Sequence, residues 1–344
     1  MLITTPLPYN LAAEHYTLFS GKTNYSVATT EIRNLNNVFV THEGLCLKNF
    51  LLVPCSHFNL CGSDDSTFYF PFWKLAIEQY LVSSYGKSLK KIELNDAEYL
   101  HIHTKWFGYF FWLTDCLPKL IRTLKFHRQV KLIYPENWKN IAFVNDTLQL
   151  FPNLKYQVIP KGVHMQVAKL MLPETRRWSN AIDPREVELT REFVFTELDK
   201  QGIATNLGEK IYISRNKAAR RKPVNNDEVE QLIKNYGFTS VCMEEFSFLE
   251  QLSIMRNAKA VVGLHGAGLA NSMFMQKEGS ILELSPAITD PKKFRISFWR
   301  LANTVNAKFL IQFCQLKTPI PEDIYEVDVL VDLATLNKNL QALS

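Results

Sequence analysis

A glycine loop that carries one histidine is the feature of this sequence best suited to chemistry. The apolar run 260–263 leads into Leu-His-Gly-Ala-Gly at 264–268, and a helix-like pattern follows. Unpaired N–H groups at a helix start attract anions, because the helix dipole adds to them. Gly263, Gly266 and Gly268 allow positive φ and close approach of a ligand. The loop therefore predicts a phosphate site, in which His265 supplies a donor with a tunable pKa.

Basic residues follow an earlier predicted strand. Arg215 directly succeeds the run 211–214, where its guanidinium can bind a diphosphate through two parallel hydrogen bonds. Arg220 and Lys222 come next in a polar loop. Such a run of charges is also typical of a solvated surface loop, so Arg215, fixed at a strand end, is the better candidate.

Glu283 is a carboxylate inside the apolar run Ile-Leu-Glu-Leu. Burying it is costly unless it has partners. One interpretation is that it accepts hydrogen bonds from both hydroxyls of a ribose. The other is a structural carboxylate bonded to backbone N–H groups of the glycine loop.

An aromatic segment at 106–120 contains a single acid, Asp115. Desolvation there would raise its pKa toward the range of a general base, and aromatic faces suit sugar rings. The alternative is a core helix in which Asp115 serves as an internal cap. His101 and His103 lie just upstream and are alternative bases, although a lone histidine is more often structural.

Composition limits the class of protein. The chain has 344 residues, enough for two domains, with 47% apolar and 21% charged residues, as in soluble globular proteins. A net charge of +5 without a nucleic-acid-binding module favours a phosphorylated small molecule or an anionic membrane surface as partner over nucleic acid. The cysteines lack zinc or redox spacing and are interpreted as reduced thiols. No signal peptide or membrane span is found, which predicts a cytoplasmic, most simply bacterial, protein.

The elements that must position these residues alternate between strands and helices. In the first half the patterns predict strands Asn37–Thr41, Phe50–Pro54, Lys131–Tyr134 and Tyr156–Pro160, and helices Phe72–Tyr85, Gly108–Arg128, Trp138–Phe151 and Pro184–Lys200. Pro118 predicts a kink or break in its helix. The β-α-β order predicts a parallel sheet.

The second half repeats the alternation more clearly. It predicts strands Lys210–Ser214, Thr239–Met243, Ala260–Gly263 and Ser280–Leu284, and helices Asp227–Tyr236, Phe248–Asn257, Leu269–Phe274 and Asp328–Leu343. Four strands with three crossovers make a Rossmann-like sheet, in which ligands bind at the carboxyl ends of strands. The glycine loop follows the third strand, and Glu283 belongs to the very next one, an order that argues against a dinucleotide fingerprint.

An ordered series of motifs resembles glycosyltransferase family 61. The series is Ile211–Arg215, Arg220–Arg221, Asn226 with Glu228, Gly237–Phe238, Phe248–Gln251, Gly263–Asn271 and Leu282–Leu284, preceded by an aromatic motif at Tyr109–Leu120. The resemblance covers about residues 95–290. It implies an α/β, GT-B-like architecture, with two Rossmann-like domains facing a central cleft, and inverting transfer from a nucleotide sugar, typically a UDP-sugar.

The resemblance also implies roles for individual residues. Arg215 and the loop His265–Gly268 would hold the diphosphate, Glu283 the ribose, and Glu245 or Gln251 the base of the nucleotide. The complete predicted donor side is Arg215, Arg220, Lys222, Gly266, Ala267, Gly268, Asn271, Glu245, Gln251 and Glu283. The predicted acceptor side is Tyr109, Trp112 and His103.

One departure from the family pattern affects the mechanism. Gly108 and Phe111 stand where the family often has Asn and His, whereas Trp112, Asp115 and Pro118 are retained. The resemblance therefore points to Asp115 as catalytic base, with His265 as donor to the leaving group. The sequence has no Asp-x-Asp pair, and the adjacent Asp64-Asp65 is a poor metal clamp, so no metal or other cofactor is expected.

These observations predict a hexosyl- or pentosyltransferase of three parts. They are an acceptor-side domain at 1–180, a nucleotide-sugar-binding domain at 181–318, and a C-terminal segment at 319–344 that packs back on the N-terminal domain. Its substrates would be a nucleotide sugar and a glycan or lipid-linked glycan, in surface or capsular polysaccharide synthesis, with possible peripheral contact with the inner face of the plasma membrane. The alternatives are a non-catalytic carbohydrate- or nucleotide-binding module, or another nucleotide-sugar enzyme of the same fold.

Overall fold

The computed structural model describes residues 1–27, 31–49, 51–53, 56, 91–104, 107–174, 180–218 and 220–343. Several predictions fall on other residues. The helix Phe72–Tyr85, the pair Asp64-Asp65, part of the strand Phe50–Pro54, and residues Trp106, Cys55 and Cys61 lie outside the described residues. The described cysteines, Cys46, Cys116, Cys242 and Cys314, are free thiols.

Sixteen strands run through the described residues. In chain order they are β1 Leu2–Thr4, β2 Asn24–Ser26, β3 Ile32–Val40, β4 Cys46–Lys48, β5 Leu51–Leu52, β6 Lys91–Leu94, β7 Tyr99–Leu100, β8 Lys131–Pro135, β9 Lys155–Ile159, β10 His164–Pro173, β11 Lys210–Ile213, β12 Thr239–Val241, β13 Ala260–Leu264, β14 Ser280–Pro286, β15 Lys308–Leu316 and β16 Val329–Leu330.

Helices connect most of these strands. The α-helices are Tyr16–Phe19, Tyr109–Phe111, Leu117–Phe126, Ala142–Leu148, Pro184–Gln201, Asn226–Asn235, Phe248–Asn257, Ser297–Thr304 and Leu333–Ala342. The 3-10 helices are Ala13–His15, Glu136–Asn140, Met243–Glu245, Ala267–Phe274 and Ile324–Glu326. Among the described residues, no helix is both long and apolar enough to span a membrane.

The chain forms two compact units. The first unit is Met1 with Val27–Ile182, and the second is Leu2–Ser26 with Asp183–Ser344. The division near 182 lies close to the predicted one, but the N-terminal segment does not belong to the predicted 1–180 domain. Its backbone bonds to the second unit's sheet, since Tyr9 N–H donates to the carbonyl of Phe309 at 2.8 Å.

The second unit contains a six-stranded sheet in the order β12-β11-β13-β14-β15-β16. The first five strands pair in parallel, and β16 runs antiparallel to β15. The order of the parallel strands is that of the flavodoxin-like doubly wound sheet, in which the second strand of the unit lies outside the first. The α/β class is therefore present, with one parallel strand more than the four that the sequence predicts.

The C-terminal helix Leu333–Ala342 packs on the second unit's own sheet. Leu336 and Leu340 are buried in the same cluster as Val229 and Ile233 of the helix Asn226–Asn235 and Leu310 of β15. Packing of this segment on the N-terminal domain stays a prediction. Its contact with the second unit's sheet has a local cause, because β16 pairs with β15 and the helix follows β16 directly.

The first unit contains a mixed sheet in the order β5-β4-β3-β10-β7-β8-β9, with β6 also paired to β10. β6 and β7 pair with β10 in parallel, as do β7 with β8 and β8 with β9. β3 runs antiparallel to β10, and β4 and β5 extend that antiparallel part. Only the parallel part thus matches the predicted Rossmann-like sheet of this half.

The aromatic segment of the first unit is helical, as predicted, but its hydrogen bonding changes along its length. Residues Trp112–Cys116 form a π-helical turn between the helices Tyr109–Phe111 and Leu117–Phe126. Pro118 follows this turn at the start of the last helix, where a missing N–H is tolerated. In place of the kink or break predicted at Pro118, the helix has a wider π-helical turn just before this residue. Such π-turns recur at functional sites.

Candidate functional site

The loops of the second unit that carry Arg215 and His265 begin at the ends of adjacent strands. β11 and β13 pair in parallel, with Ile213 opposite Gly263. After β11 the chain crosses to β12 on one side, and after β13 it crosses to β14 on the other. Crossovers that diverge in this way open a crevice between the two strands, where open α/β sheets bind ligands. Arg215 and His265 follow the two strands that flank this crevice.

His265 forms a buried pair with Glu283. Its Nδ1 lies 2.5 Å from Glu283 Oε1, and the two residues are 7% and 2% exposed. The His265 N–H also donates to the carbonyl of Leu284 at 2.8 Å, so main chain and side chain are both fixed to β14. An ionised carboxylate only accepts, so Nδ1 carries the hydrogen and Nε2 is left for a ligand. Among the described residues Nε2 has no hydrogen-bond partner.

This pair is a contact that neither interpretation of Glu283 made from the sequence includes. Among the described residues, the carboxylate bonds the side chain of His265 through Oε1 and not the backbone of the glycine loop. The ribose role of Glu283 stays a prediction. Glu283 fixes the tautomer and the plane of the imidazole, as carboxylates do in other His-dependent sites.

Two aromatic rings hold the imidazole from other directions. The ring of Tyr325 lies 4.2 Å from that of His265, and Phe298 meets it edge-on at 4.9 Å. Burial raises the pKa of Tyr325 well above its ordinary value, so the hydroxyl stays protonated. Its oxygen accepts the N–H of Arg295 at 2.7 Å. Sequence reasoning missed both rings, because nothing in the spacing links residues 298 and 325 to residue 265.

Arg215 and Arg221 place two guanidinium groups against Gly266. A Cβ at Gly266 would lie 2.9 Å from Arg221 Nη2 and 3.4 Å from Arg215 Nη1. Arg215 Nε donates to the carbonyl of Arg221 at 2.5 Å, which fixes the orientation of the fork. Burial, and then the charge of Arg221, lower the pKa of Arg215 from its ordinary value. Two cations side by side favour an anion that neutralises both.

Arg221 is a candidate site residue that sequence reasoning noted in the basic run but did not select. Its φ is +60°, in the left-handed region that a non-glycine residue adopts at a cost of about 1 kcal/mol or more. Such strain is found where the structure fixes a side chain for function. The available signal was the adjacent Arg220-Arg221 pair in the family-like series.

The glycines act through size and not through positive φ. Gly266 has φ 173°, which is extended backbone, and neither Gly263 nor Gly268 is among the described residues with positive φ. A Cβ at Gly263 would lie 3.1 Å from Leu269 Cδ2. These distances explain glycine at Gly263 and Gly266, because a side chain would crowd closely packed neighbours or the guanidiniums. The freedom to adopt positive φ, which the sequence allows at these glycines, is not used.

The helix that follows the loop is of the 3-10 type and spans Ala267–Phe274, two residues earlier than predicted. No side chain caps its N-terminus, where the first N–H groups lack helical partners. Ala267 is exposed and Gly268 is half-buried. These N–H groups are available to an anion that lies against Gly266.

Other predicted donor-side residues have structural contacts of their own. Lys222 donates its backbone N–H to Asp328 Oδ1 at 3.0 Å. Asn271 Nδ2 donates to Gln251 Oε1 at 3.2 Å, and Gln251 Nε2 donates to the carbonyl of Phe246. Glu245 accepts from Lys217 in the loop after β11. Their roles toward a nucleotide stay predictions, and Arg220 forms an ion pair with Glu326.

In the first unit, Asp115 is buried and ion-paired. Its Oδ2 accepts from Lys119 Nζ at 2.7 Å, and the two side chains are 2% and 5% exposed. Sequence reasoning placed Asp115 in an apolar environment correctly but missed Lys119, although an acid and a base four residues apart share a helix face. The ammonium competes with any acceptor hydroxyl for the carboxylate.

Trp112 belongs to the core of the first unit. It is fully buried, its indole N–H donates to Thr147 Oγ1 at 3.1 Å, and its ring meets Trp138 edge-on. No face is left for a sugar, so the acceptor role of Trp112 does not fit the structure. Tyr109 is half-buried, and its role stays a prediction.

His101 and His103 are buried with their rings 4.3 Å apart. Both nitrogens of each ring are buried without a hydrogen-bond partner. Burial, and then the charge of Lys119, lower the pKa of His101 to about 3. The pKa of His103 is also lowered, by burial first and then by His101, His42 and Lys119, which places His103 within electrostatic range of the Asp115–Lys119 pair.

No group of three or more His, Cys, Asp or Glu side chains suited to a metal ion is found among the residues that the structure describes.

Gly266→Ala should weaken anion binding without unfolding the protein. The new methyl group would displace the ends of the flexible Arg221 and Arg215 side chains, not backbone. We expect the Kd for inorganic pyrophosphate, measured by calorimetry, to rise about tenfold or more, as for loss of a charge-assisted hydrogen bond. Gly268→Ala, whose Cβ would meet only Ile213 Cγ2, is the matched control. Equal Kd values for the two variants would remove the guanidiniums from the site.

His101→Leu should flatten the acid dependence of stability. His101 is neutral when folded, whereas in the unfolded chain it binds a proton below about pH 6.5. Stability from the neutral form is therefore complete above that pH and is lost as the pH falls toward 3. Urea unfolding at pH 7 and pH 5 measures how much unfolding free energy is lost between the two pH values. In the variant this loss should be smaller than in the native protein by up to about 1.4 kcal/mol per pH unit. His127→Leu, at a half-buried position, controls for losing an imidazole as such. An unchanged pH dependence in His101→Leu would contradict the burial of a neutral ring.

Comparison with known proteins agrees with the residues assembled above. No curated protein sequence matches the chain. The family model described as Glycosyltransferase 61 matches residues 109–282, slightly more than half of the chain. The match spans the aromatic helix, Arg215 and the glycine loop, and ends one residue before Glu283. It confirms the resemblance found in the motifs, and the chain belongs to glycosyltransferase family 61.

Proposed function

We propose that the protein transfers a sugar, with inversion, from a nucleotide sugar to a hydroxyl of a glycan acceptor. The observation that carries this proposal is the buried His265–Glu283 pair beside two guanidiniums at the ends of adjacent parallel strands. Membership of a glycosyltransferase family supplies the reaction class. A UDP-sugar donor, a GT-B arrangement and a role in surface polysaccharide synthesis, with contact to a membrane surface, are the finer parts of the proposal.

The donor diphosphate would lie against Gly266. Arg215 and Arg221 would bind its oxygens from one side, and the N–H groups at the start of Ala267–Phe274 from the other. The phosphate oxygens could accept hydrogen bonds from both loops, the one that carries the two arginines and the one that carries the glycines. The two guanidiniums, which are partly buried, would thus offset the charge of the diphosphate.

His265 would act on the leaving group. As the acceptor oxygen bonds to the anomeric carbon, the bond from that carbon to the diphosphate breaks, and negative charge collects on the departing oxygen. A doubly protonated imidazole can donate from Nε2 to that oxygen, while Glu283 accepts from Nδ1 and stabilises the cation. Together with the arginines, this arrangement supplies charge stabilisation from protein groups.

The acceptor proton needs a base, and Asp115 is the residue that the sequence proposes. Asp115 is ion-paired with Lys119, so it can act as a base only if the ammonium moves away or bonds to the substrate instead. This observation favours one alternative function, a module that binds a nucleotide sugar without transferring it. Activity of variants at these two positions separates the alternatives.

A screen of nucleotide release from UDP-, GDP- and CMP-sugars should find one class that is hydrolysed without acceptor. His265→Gln and Glu283→Gln should each reduce release by about a hundredfold or more, since each removes stabilisation of the leaving group. Donor affinity, measured by calorimetry, should change much less.

His15→Gln, in the N-terminal segment, is the control for loss of a histidine. Unchanged release in both site variants would remove the pair from the reaction, and absence of binding to every nucleotide sugar would contradict the proposed donor. Release that disappears with EDTA and returns with manganese would overturn metal independence.

Asp115→Asn combined with Lys119→Met distinguishes a base from a structural ion pair. Removing one partner of a buried pair destabilises by about 3–5 kcal/mol, whereas replacing both partners is often neutral. If Asp115 is the base, the double variant recovers the melting temperature but not transfer, which stays at least about a hundredfold below the native rate. Recovery of both would assign Asp115 to folding alone.

A further inference from the structure

The short segment Asp323–Glu326 lies beyond the residues matched by the family model, yet it touches several parts of the candidate donor site. Asp323 accepts from the N–H of Tyr325 and begins the 3-10 helix Ile324–Glu326. Tyr325 packs on the ring of His265. Glu326 reaches the two arginines of the loop after β11.

The Glu326 carboxylate spans Arg220 and Arg221. Oε1 accepts from Arg221 Nη1 at 3.1 Å, and Oε2 lies 2.9 Å from Arg220 Nε. A carboxylate, like a phosphate, is an anion whose oxygens accept hydrogen bonds from guanidinium N–H groups, so both can occupy the same donors. The other guanidinium nitrogen of Arg221, Nη2, is the one that lies against Gly266.

The carboxylate satisfies this cluster only in part. Arg221 Nε is buried without a hydrogen-bond partner, and Glu326 Oε2 has its ion pair but no bond of hydrogen-bond geometry. Buried N–H groups of this kind normally have a partner. A diphosphate offers more acceptor oxygens than a carboxylate, so the cluster is better matched to a diphosphate than to Glu326.

The backbone on either side of Glu326 is fixed. Tyr325 and Val327 are buried, at 2% and 4% exposure, whereas the Glu326 side chain is 25% exposed. The carboxylate can therefore leave the arginines by rotation about its own side-chain bonds. The segment, with its contact to His265, does not have to move.

We propose that Glu326 is a built-in competitor for the donor diphosphate. In the absence of ligand its carboxylate occupies Arg220 and Arg221, and binding of a diphosphate displaces it. This inference rests on the proposed function, because it assumes that the anion lies at Arg221 and Gly266. Its consequence is a donor site that binds more weakly, and releases the nucleoside diphosphate faster, than its arginines alone would allow.

Calorimetry with inorganic pyrophosphate and with UDP tests this inference. Glu326→Gln should lower both Kd values about three- to tenfold, since it removes an ion pair that the anion must break. Glu322→Gln is the matched control, because Glu322 is exposed directly before the segment and its loss changes the net charge equally. The Kd values of that control should change less than those of Glu326→Gln.

Glu326→Asp provides a second variant if Glu326→Gln melts at a lower temperature. The shorter carboxylate keeps the charge but cannot span both guanidiniums, so its Kd should fall between those of the native protein and Glu326→Gln. A Kd for Glu326→Gln equal to that of the control, or higher than native, would overturn the inference. If native protein and all variants fail to bind either ligand, the proposed function fails as well, whereas binding by Glu326→Gln alone would support both.

Discussion

The burial of Glu283 beside His265 is the constraint around which the second unit is arranged. A carboxylate at 2% exposure in the middle of a parallel sheet is costly unless it is paired. His265 provides the pair, and its own main chain is tied to the carbonyl of Leu284, so the imidazole has little freedom. The partner that Glu283 needs in order to be buried is therefore also held in one orientation. One nitrogen is engaged inward, and the other is left for chemistry at the strand ends.

The surrounding fold keeps that orientation and adds positive charge beside it. The 3-10 helix Ala267–Phe274 is held at its far end by Arg191, which donates to the carbonyls of Met273 and Met275. A cation at the C-terminus of a helix complements its dipole, so the helix N-terminus next to His265 remains the end that attracts an anion. Arg215 and Arg221 approach the same loop because β11 and β13 are neighbours and Gly266 has no side chain. Glu326 partly offsets the arginine charge.

The parts that the sequence predicts well are those with short-range causes. The helix Phe248–Asn257 and the strands that precede Arg215 and His265 follow from apolar periodicity, and consecutive crossovers place the two loops together. Contacts between residues far apart in the chain carry no such signal. Tyr325 lies against His265 only because β15 returns the chain to this sheet, and the short strand β16, which the sequence does not predict, pairs with β15. The contact of Lys119 with Asp115 is different, because the two residues are four apart in the sequence and their pairing on one helix face could have been predicted.

The buried charges of Asp115 and Lys119 are paired in the first unit, whereas the arginines of the second unit are only partly paired. This difference indicates which unit contributes more to the affinity for a charged ligand. In the first unit, Asp115 and Lys119 are buried together with nearly complete compensation, and the nearby His101 is kept neutral by burial. Such a cluster gains little from an arriving charge. In the second unit, the arginines retain a buried N–H without a partner, and their carboxylate is exposed enough to leave. An anion therefore gains most at the strand ends of the second unit. Among the described residues, the charges therefore support the proposed binding of an anionic donor more than the proposed activation of an acceptor.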